Sequence, residues 1–456
     1  MRLWSAVVLA AGTGSRMNSE TPKVLHPACG LPLIDYVINS VLDSGIASLV
    51  LVVPAKDRMI SARVNSSISY ARQITPLGTG NAFLTAKSLL EDKTKNILCI
   101  NGDTPLIETK TINELMEHHL VSGADVTILT ANQVPQEGLG RIHRNQYGQV
   151  KKIIEAEELP VQQGEIQEFN GGVYCFRSEL LWSRLENLTP SQRGEIRLTD
   201  LIVEVDQSGG QIETVQPTSN LELLGVNTRL QLAQVEGVIR EKIRNACMMD
   251  GVTLIDPSAT YIDSTVEIAS DSVIFPNTYL YGQTRIGSGS AVGPNTIIID
   301  SSVGEDCKIL GSVVQGSVLE NNATVGPFSH LRPGSTVETG VHIGNFVEIK
   351  ESHVGQDSRI GHFSYIGDAT LGSEVNIGAG TVTCNFDGME KNLTVIGSNA
   401  FIGSSSMLVA PVQIGPRAIT GAGSVVTEDV ASDSLVVGVP ARPRRQKRSM
   451  KNMDDC

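Results

Sequence analysis

Arg16 lies in, and Lys23 follows shortly after, a short segment, Ala11-Gly12-Thr13-Gly14-Ser15-Arg16-Met17, that follows the apolar run Ala6 to Ala10, and Pro22 directly precedes the lysine. Glycines placed just after a buried strand let backbone N–H groups approach phosphate oxygens, and two nearby cations bring compensating charge. The segment suits a triphosphate. It is not a P-loop, because G-x-x-x-x-G-K-[ST] is absent, and it is not the dinucleotide fingerprint, because G-x-G-x-x-G fails at Met17. A second set of reactive side chains lies far along the chain: Arg332 in Leu331-Arg332-Pro333-Gly334, Lys350 at the end of Asn345 to Lys350, His362 and Tyr365 in Gly361 to Tyr365, and Asn376 in Asn376 to Thr381. Histidine, with an unperturbed pKa near 6.5, is the side chain suited to taking a proton at neutral pH.

The elements that carry this second set repeat every six residues. Ile262, Ile268, Ile274, Leu280, Ile286, Val292 and Ile298 keep an unbroken interval, which slips and resumes through Val303 and Ile309, then Leu319 to Ile349, Val354 to Ile366, Leu371 and Ile377, and finally Ile396 to Ile414. Neither a helix of period 3.6 nor a strand of period 2 holds one residue type at every sixth position, whereas a parallel β-helix with one hexapeptide per flat side does. A coil of about 18 residues stacks His362 on Gly380 and Lys350 on Asp368, and lets Tyr365, Asn376, Lys350 and Arg332 converge on His362. His342 and His353 read as outward, solvated residues. Thr383 to Lys391 delays the next hexad position and reads as a loop bulging from the coil.

The first half alternates apolar runs with amphipathic stretches. Ala6 to Ala10, Leu49 to Val53, Ile97 to Ile100 and Val126 to Thr130 read as buried strands of a mostly parallel sheet, with helices such as Leu33 to Ser44 between them. This is a Rossmann-like α/β layer structure. Leu230, Leu232, Val235, Val238, Ile239 and Ile243 lie on one helical face, so a linker helix joins the halves. The expected organisation is 1–227 for the α/β domain, 228–250 for the linker, 251–437 for the solenoid and 438–456 for a basic, solvated tail.

Composition narrows the partners. A net charge of −13 offers no broad footprint for nucleic acid, so an anionic ligand must be held locally. The seven cysteines are scattered singly, without a C-x-x-C pair, which fits reduced thiols in the cytoplasm. The opening MRLWSAVVLAAG is a poor secretory leader, and no apolar stretch approaches the roughly 20 residues of a membrane span.

The ordered set in the first half resembles the sugar-1-phosphate nucleotidyltransferases. Leu9 to Met17 with Pro22 to Leu25 resembles their signature, and Gln73 with Leu77-Gly78-Thr79-Gly80 their uracil-reading stretch. Asn101-Gly102-Asp103 falls where that family holds its metal aspartate, and Gly138 to Arg141, Glu155, Asn170 and Val226 to Arg229 fall at its sugar and second metal positions. The resemblance implies that Leu9, Ala10, Ala11, Gly12, Lys23, Gln73, Gly78, Thr79, Asn101, Gly102, Asp103, Gly140, Glu155, Asn170 and Asn227 contact UTP or the UDP-sugar. It implies Mg²⁺ held by Asp103 and Asn227, and an Arg16 that stabilises charge on the transferring and leaving phosphates. A sugar-1-phosphate oxygen attacks the α-phosphorus in line, so no protein nucleophile is needed.

Nearly the whole chain, in the same domain order, is similar to the bifunctional bacterial enzymes that join glucosamine-1-phosphate N-acetyltransferase to N-acetylglucosamine-1-phosphate uridylyltransferase. That family implies a left-handed β-helix, a cytoplasmic homotrimer, and acetyl-CoA and UTP as co-substrates. It implies His362 as the base that deprotonates the glucosamine amine, Arg332 and Lys350 on the sugar phosphate, and Tyr365 and Asn376 on the sugar. Ala379, Asn385, Phe386, Ser404 and Ala422 fall to acetyl-CoA. The chain departs from the family's common Asn-Tyr at Asn385-Phe386, and has Gly438 where an arginine is common, so that Arg442, Arg444 or Arg445 is left to meet the CoA phosphates. The rival expectation is a nucleotidyltransferase of another specificity whose solenoid only trimerises or regulates.

Overall fold

The computed structural model describes residues 2–62, 68–132, 138–159, 166–191 and 194–444. Its chain divides into two compact units, Met1–Ile239 and Arg240–Cys456, with the division inside the helix Arg229–Met249.

The first unit is built on a mixed sheet. Its strands run in the order Ile212–Val215, Val126–Asn132, Glu168–Arg177, Thr94–Asn101, Arg2–Leu9, Leu49–Pro54 and Ser69–Gln73. These seven are parallel except Glu168–Arg177, which opposes both of its neighbours, and Arg141–Arg144 and Val150–Ile154 join the sheet as an antiparallel branch. The four strands expected from their apolar runs are all present, each longer by one to four residues than its run, because the sheet continues past the fully buried centre. Ala6 to Leu9 of that first run lies inside the sheet, paired on both sides. Leu33–Asp43 is a helix that buries Leu33, Ile34, Val37, Ile38 and Val41.

The helix Arg229–Met249 starts at a capping box. Thr228 Oγ1 accepts from Gln231 N at 3.2 Å, and Gln231 Oε1 accepts from Thr228 N at 3.1 Å. The T-x-x-Q pattern satisfies two orphan N–H groups of the first turn. Gln231 Oε1 also accepts from Asn227 N at 2.8 Å, so the residue before the helix is fixed as well.

The second unit is a solenoid of three sheets with 12, 10 and 9 strands, parallel except for the last strand of the first sheet, in which each short strand pairs with the third one after it until the final coil. The hexad residues point inward: Ile274, Leu280, Ile298, Leu331, Ile360, Ile366 and Ile402 are fully buried. Ile268, near the open first coil, is only partly covered. Buried hydroxyls line the corners, and many tie neighbouring coils together: Ser358 Oγ donates to Gly372 O and accepts from Val375 N, both at 3.0 Å, whereas Thr394 Oγ1 and Ser424 Oγ are buried without a partner.

The coil spacing departs from the expected 18 where the reactive side chains lie. Ile343 pairs with Ile360, Ile349 with Ile366 and Ile360 with Ile377, so these coils take 17 residues. The register therefore sets Lys350 opposite Gly367 rather than Asp368, and brings Gly380 to His362 only through a backbone N–H that reaches His362 O at 3.4 Å. A five-residue step replaces one hexad in each such coil, as from Ile349 to Val354. By contrast Ile377 pairs with Ile402 and Thr383 with Leu408, a 25-residue coil that leaves the loop after Cys384 outside the prism, as the delayed hexad implied.

The basic tail begins with structure. Arg442–Arg444 forms an antiparallel strand on Leu435–Val437, because the last coil leaves an unpaired edge, and its three residues stay exposed, so the start of the tail is solvated as expected but ordered. Arg445 lies outside the described residues.

Candidate active sites

In the first unit, Gly14 adopts φ 62° and a Cβ there would stand 2.8 Å from Lys23 Cβ, so the glycine lets the loop close against Lys23. The short turn Ser15–Met17 then presents Arg16. Asp103 follows the strand Thr94–Asn101, and its carbonyl accepts from Val226 N at 2.9 Å, which brings the capped segment with Asn227 alongside. Arg16 Nη2 donates to Asn227 Oδ1 at 3.0 Å, Lys23 Nζ donates to the same oxygen at 2.9 Å, and Lys23 Nζ also pairs with Asp103 Oδ2. Four side chains from three distant segments form one charge cluster. Gly102 N donates to Leu9 O at 2.9 Å, which ties the Asp103 turn to the start of the phosphate loop.

The remaining positions lie on other segments of the same unit. Gln73 is buried, and its Nε2 donates to Gly78 O at 3.1 Å and Asn81 Oδ1 at 2.9 Å. Gly78 has φ 102° and a Cβ there would stand 2.5 Å from Ile196 O, so only glycine fits this turn. Thr79 Oγ1 accepts from Leu198 N at 3.0 Å. Glu155 Oε1 accepts from Thr199 Oγ1 at 2.7 Å, and Asn170 N donates to Gly140 O at 2.9 Å while its side chain meets Tyr174 Oη. Burial raises Tyr174 well above the ordinary phenol, so it stays protonated.

Among the described residues no cluster of three or more His, Cys, Asp or Glu side chains could hold a metal by itself. Asp103 and Asn227 instead offer two oxygens that converge on one cationic nitrogen. A hard ion such as Mg²⁺, which keeps most of its waters and takes substrate phosphates as ligands, fits a donor set this small.

In the second unit the reactive residues fall into two groups. On one flat side, Arg332 Nη1 donates to Glu348 Oε1 at 2.8 Å, and Lys350 Nζ stands 3.9 Å from Asp368 Oδ2. Asn385 Nδ2 donates to Tyr365 Oη at 3.3 Å and to Asp368. The bulged loop folds back so that Lys391 faces Lys350, and that ammonium, first by a hydrogen bond and then by charge, holds Lys391 below the usual lysine range. Two ammonium groups held together prefer an anion between them. Glu348, Asp368 and Lys391 escaped the sequence reading as site residues. Lys391 carried no signal, since its position depends on how the loop closes.

His362 occupies the neighbouring corner. Its Nδ1 is 2.5 Å from Asn345 Oδ1, one coil before it. An amide oxygen only accepts, so Nδ1 carries the proton and Nε2 keeps its lone pair. Asn345 is thus a positioning residue that the sequence reading quoted without a role. Asn376 lies in register with Arg359, on the side of His362 away from the Lys350 group, and no hydrogen bond among the described residues joins the two groups.

A column of small residues continues the line of His362. The pairings Ile360 with Ile377, Ile377 with Ile402 and Ile402 with Thr420 carry the positions two residues on into register: His362, Ala379, Ser404 and Ala422. Thr420 pairs with Val436, so Gly438 is next. Ser405 N donates to Ala379 O at 2.7 Å and Gly423 N to Ser404 O at 2.8 Å, so the corner backbone is regular. Phe386 stands exposed at the mouth of the bulged loop, bridged to Lys391.

Comparison with known proteins agrees with this two-part construction. Residues 6–203 match the MobA-like NTP transferase domain, and residues 316–351 and 393–428 match the bacterial transferase hexapeptide of six repeats. The chain is 42% identical to the bifunctional protein GlmU of Heliobacterium modesticaldum over 95% of each chain. It is 42% identical to that of a Geobacillus species, covering 95% of this chain and 94% of the other. With the protein of the same name from Streptococcus thermophilus it shares 41% identity over 98% and 97%. A nucleotidyltransferase unit followed by a hexapeptide solenoid, matched end to end at this identity, means that the chain belongs to the family of the bifunctional protein GlmU.

Proposed function

We propose that the solenoid acetylates glucosamine-1-phosphate from acetyl-CoA and that the first unit then uridylylates N-acetylglucosamine-1-phosphate from UTP, giving UDP-N-acetylglucosamine and pyrophosphate. The observation that carries this reading is the column that runs from the oriented imidazole of His362 through Ala379, Ser404 and Ala422. A chain of small residues leaves room for an extended pantetheine arm whose thioester ends beside a base, which a purely trimerising solenoid would not need.

At that site His362 Nε2 takes the proton from the amine as nitrogen attacks the thioester carbonyl, and the CoA thiolate leaves. Arg332, Lys350 and Lys391 hold the sugar phosphate, and Tyr365 and Asn376 meet the sugar. Asn385 positions Tyr365 and Asp368, while Phe386 offers a face to CoA. The edge strand supplies Arg442 and Arg444 beyond Gly438, where the column ends.

At the uridylyl site the glycine loop from Leu9 to Gly12 approaches the triphosphate, Gln73, Gly78 and Thr79 read the base, and Gly140, Glu155 and Asn170 hold the sugar, with Asn101 and Gly102 framing Asp103. Arg16 follows negative charge from the α-phosphoryl group to pyrophosphate. Asp103 and Asn227 would hold Mg²⁺, which would supply neutralising charge for the phosphates.

Self-association as a homotrimer is part of the same proposal. Phe328, Phe346 and Phe363 stack along one corner with ring centroids 5.4 and 5.0 Å apart and stay exposed, a strip that another copy would cover. Cytoplasmic residence agrees with the six free cysteines among the described residues, none of whose helices is long and apolar enough to cross a membrane.

Incubation with acetyl-CoA, glucosamine-1-phosphate, UTP and Mg²⁺, followed by mass analysis, tests the whole reading. UDP-N-acetylglucosamine with one CoA per product is expected. UDP-sugar formed only from supplied N-acetylglucosamine-1-phosphate, without CoA release, would leave the solenoid non-catalytic.

A further inference from the structure

One nitrogen in the first unit does the work of a bound cation. Lys23 Nζ donates to Asp103 Oδ2 and, at 2.9 Å, to Asn227 Oδ1, while Arg16 reaches only Asn227, at 3.0 Å. The Lys23 and Asp103 side chains are only 13% and 15% exposed. Leaving a carboxylate in such surroundings without a counter-charge is costly, so in the absence of ligands the ammonium stays in place. An ammonium and a hard divalent ion compete for the same two oxygens, because the ion needs them at about 2.0–2.1 Å and tolerates no second cation between them.

Resting on the assignment of Asp103 and Asn227 to the metal, we propose that Lys23 is an internal placeholder for that metal. The ammonium holds the two oxygens apart from solvent cations until a nucleoside triphosphate draws it onto phosphate and frees the pair. Lys23 is built for such a transfer. Its backbone is fixed, with Leu25 N donating to Pro22 O at 2.9 Å and Gly14 packed against its Cβ, while its four-carbon stem has the rotatable bonds needed to carry the ammonium a short way. Phosphate oxygens then serve both cations at once, as partner to the ammonium and ligand to the metal. Metal binding therefore depends on nucleotide, and by linkage each raises the other's affinity by the same factor.

Mn²⁺ binding to the full chain without nucleotide, followed by electron paramagnetic resonance of the free ion, tests this. Lys23→Ala and the closer mimic Lys23→Met should each bind Mn²⁺ about tenfold or more tightly than the parent, the size of a lost charge-assisted competitor. Arg16→Ala removes the same charge from the cluster without freeing Asp103, and should gain less than about threefold. Equal affinity in the parent and both Lys23 variants overturns the proposal, and so does an equal gain in Arg16→Ala, which would reduce the effect to general repulsion. Asp103→Asn in the Lys23→Ala background should abolish the gained site; its survival there would instead refute the metal assignment beneath the proposal. Acetyl transfer by the second unit, retained in every variant, confirms an intact chain.

Discussion

Asn345 Oδ1 and His362 Nδ1 meet at 2.5 Å across one turn of the solenoid, in strands that are exact register partners. The contact sets which ring nitrogen is free, so the fold itself chooses the tautomer. Asn345→Asp should keep the geometry while adding a negative charge beside the ring. That charge favours the imidazolium, which cannot accept a proton, so the acid limb of kcat/KM for acetyl transfer should move to higher pH. Asn345→Ala should lower kcat about tenfold or more without that displacement, through a ring left free to rotate. Unchanged pH profiles in Asn345→Asp would remove Asn345 from the site.

His362→Ala removes the base itself. Acetyl transfer should fall by about 10²–10⁴-fold, with uridylyl transfer from supplied N-acetylglucosamine-1-phosphate near normal. The core should survive, because Ile360 and Ile366 occupy the inward positions on either side. A variant that keeps its oligomeric size and acetylates at the parent rate from pH 6 to 9 would return His362 to the surface.

Arg16→Ala should lower kcat of uridylyl transfer far more than it raises KM for UTP. Its guanidinium is placed to follow charge that appears only as pyrophosphate leaves. An effect confined to KM would assign the residue to uniform binding.

His119 makes the first unit sensitive to acid. Burial, with the nearby Arg177 charge adding to it, pushes its pKa down to about 4. The unfolded chain takes up the proton near pH 6.5 and the folded one does not until about pH 4, so this histidine's contribution is full above 6.5 and declines as pH falls toward 4. His119→Gln should reduce the loss of Tm between pH 7 and pH 5 in thermal melts. An unaltered loss would place the acid sensitivity elsewhere.

Much of this was legible in the chain because it obeys local rules. A side chain at every sixth position has nowhere to point but inward, and apolar runs such as Val126 to Thr130 are buried on both faces of their sheet. The glycines and cations around Arg16 and Lys23 announced phosphate chemistry in the same way. What sequence spacing could not give was register: one residue fewer per coil made Gly367 the strand partner of Lys350, although Asp368 still reaches its ammonium, and set Ala379 beneath His362. The strand Glu168–Arg177 was equally hidden, since its direction is decided by how neighbouring crossovers pack. Lys391 and Asn345 became readable only once coils and loop had closed around them.

The bulged loop after Cys384 is a detour that leaves the solenoid and returns to it without changing the line it left. Ile377 still pairs with Ile402 and Thr383 with Leu408, although their coil holds 25 residues. For a flexible excursion the closing cost grows only with the logarithm of its length, so residues added there burden the scaffold little. The solenoid thus separates two kinds of inheritance: the stacked frame must keep count, while the loop that carries Phe386 and Lys391 is free to vary in length and composition, and with it the grip on whatever lies above the column.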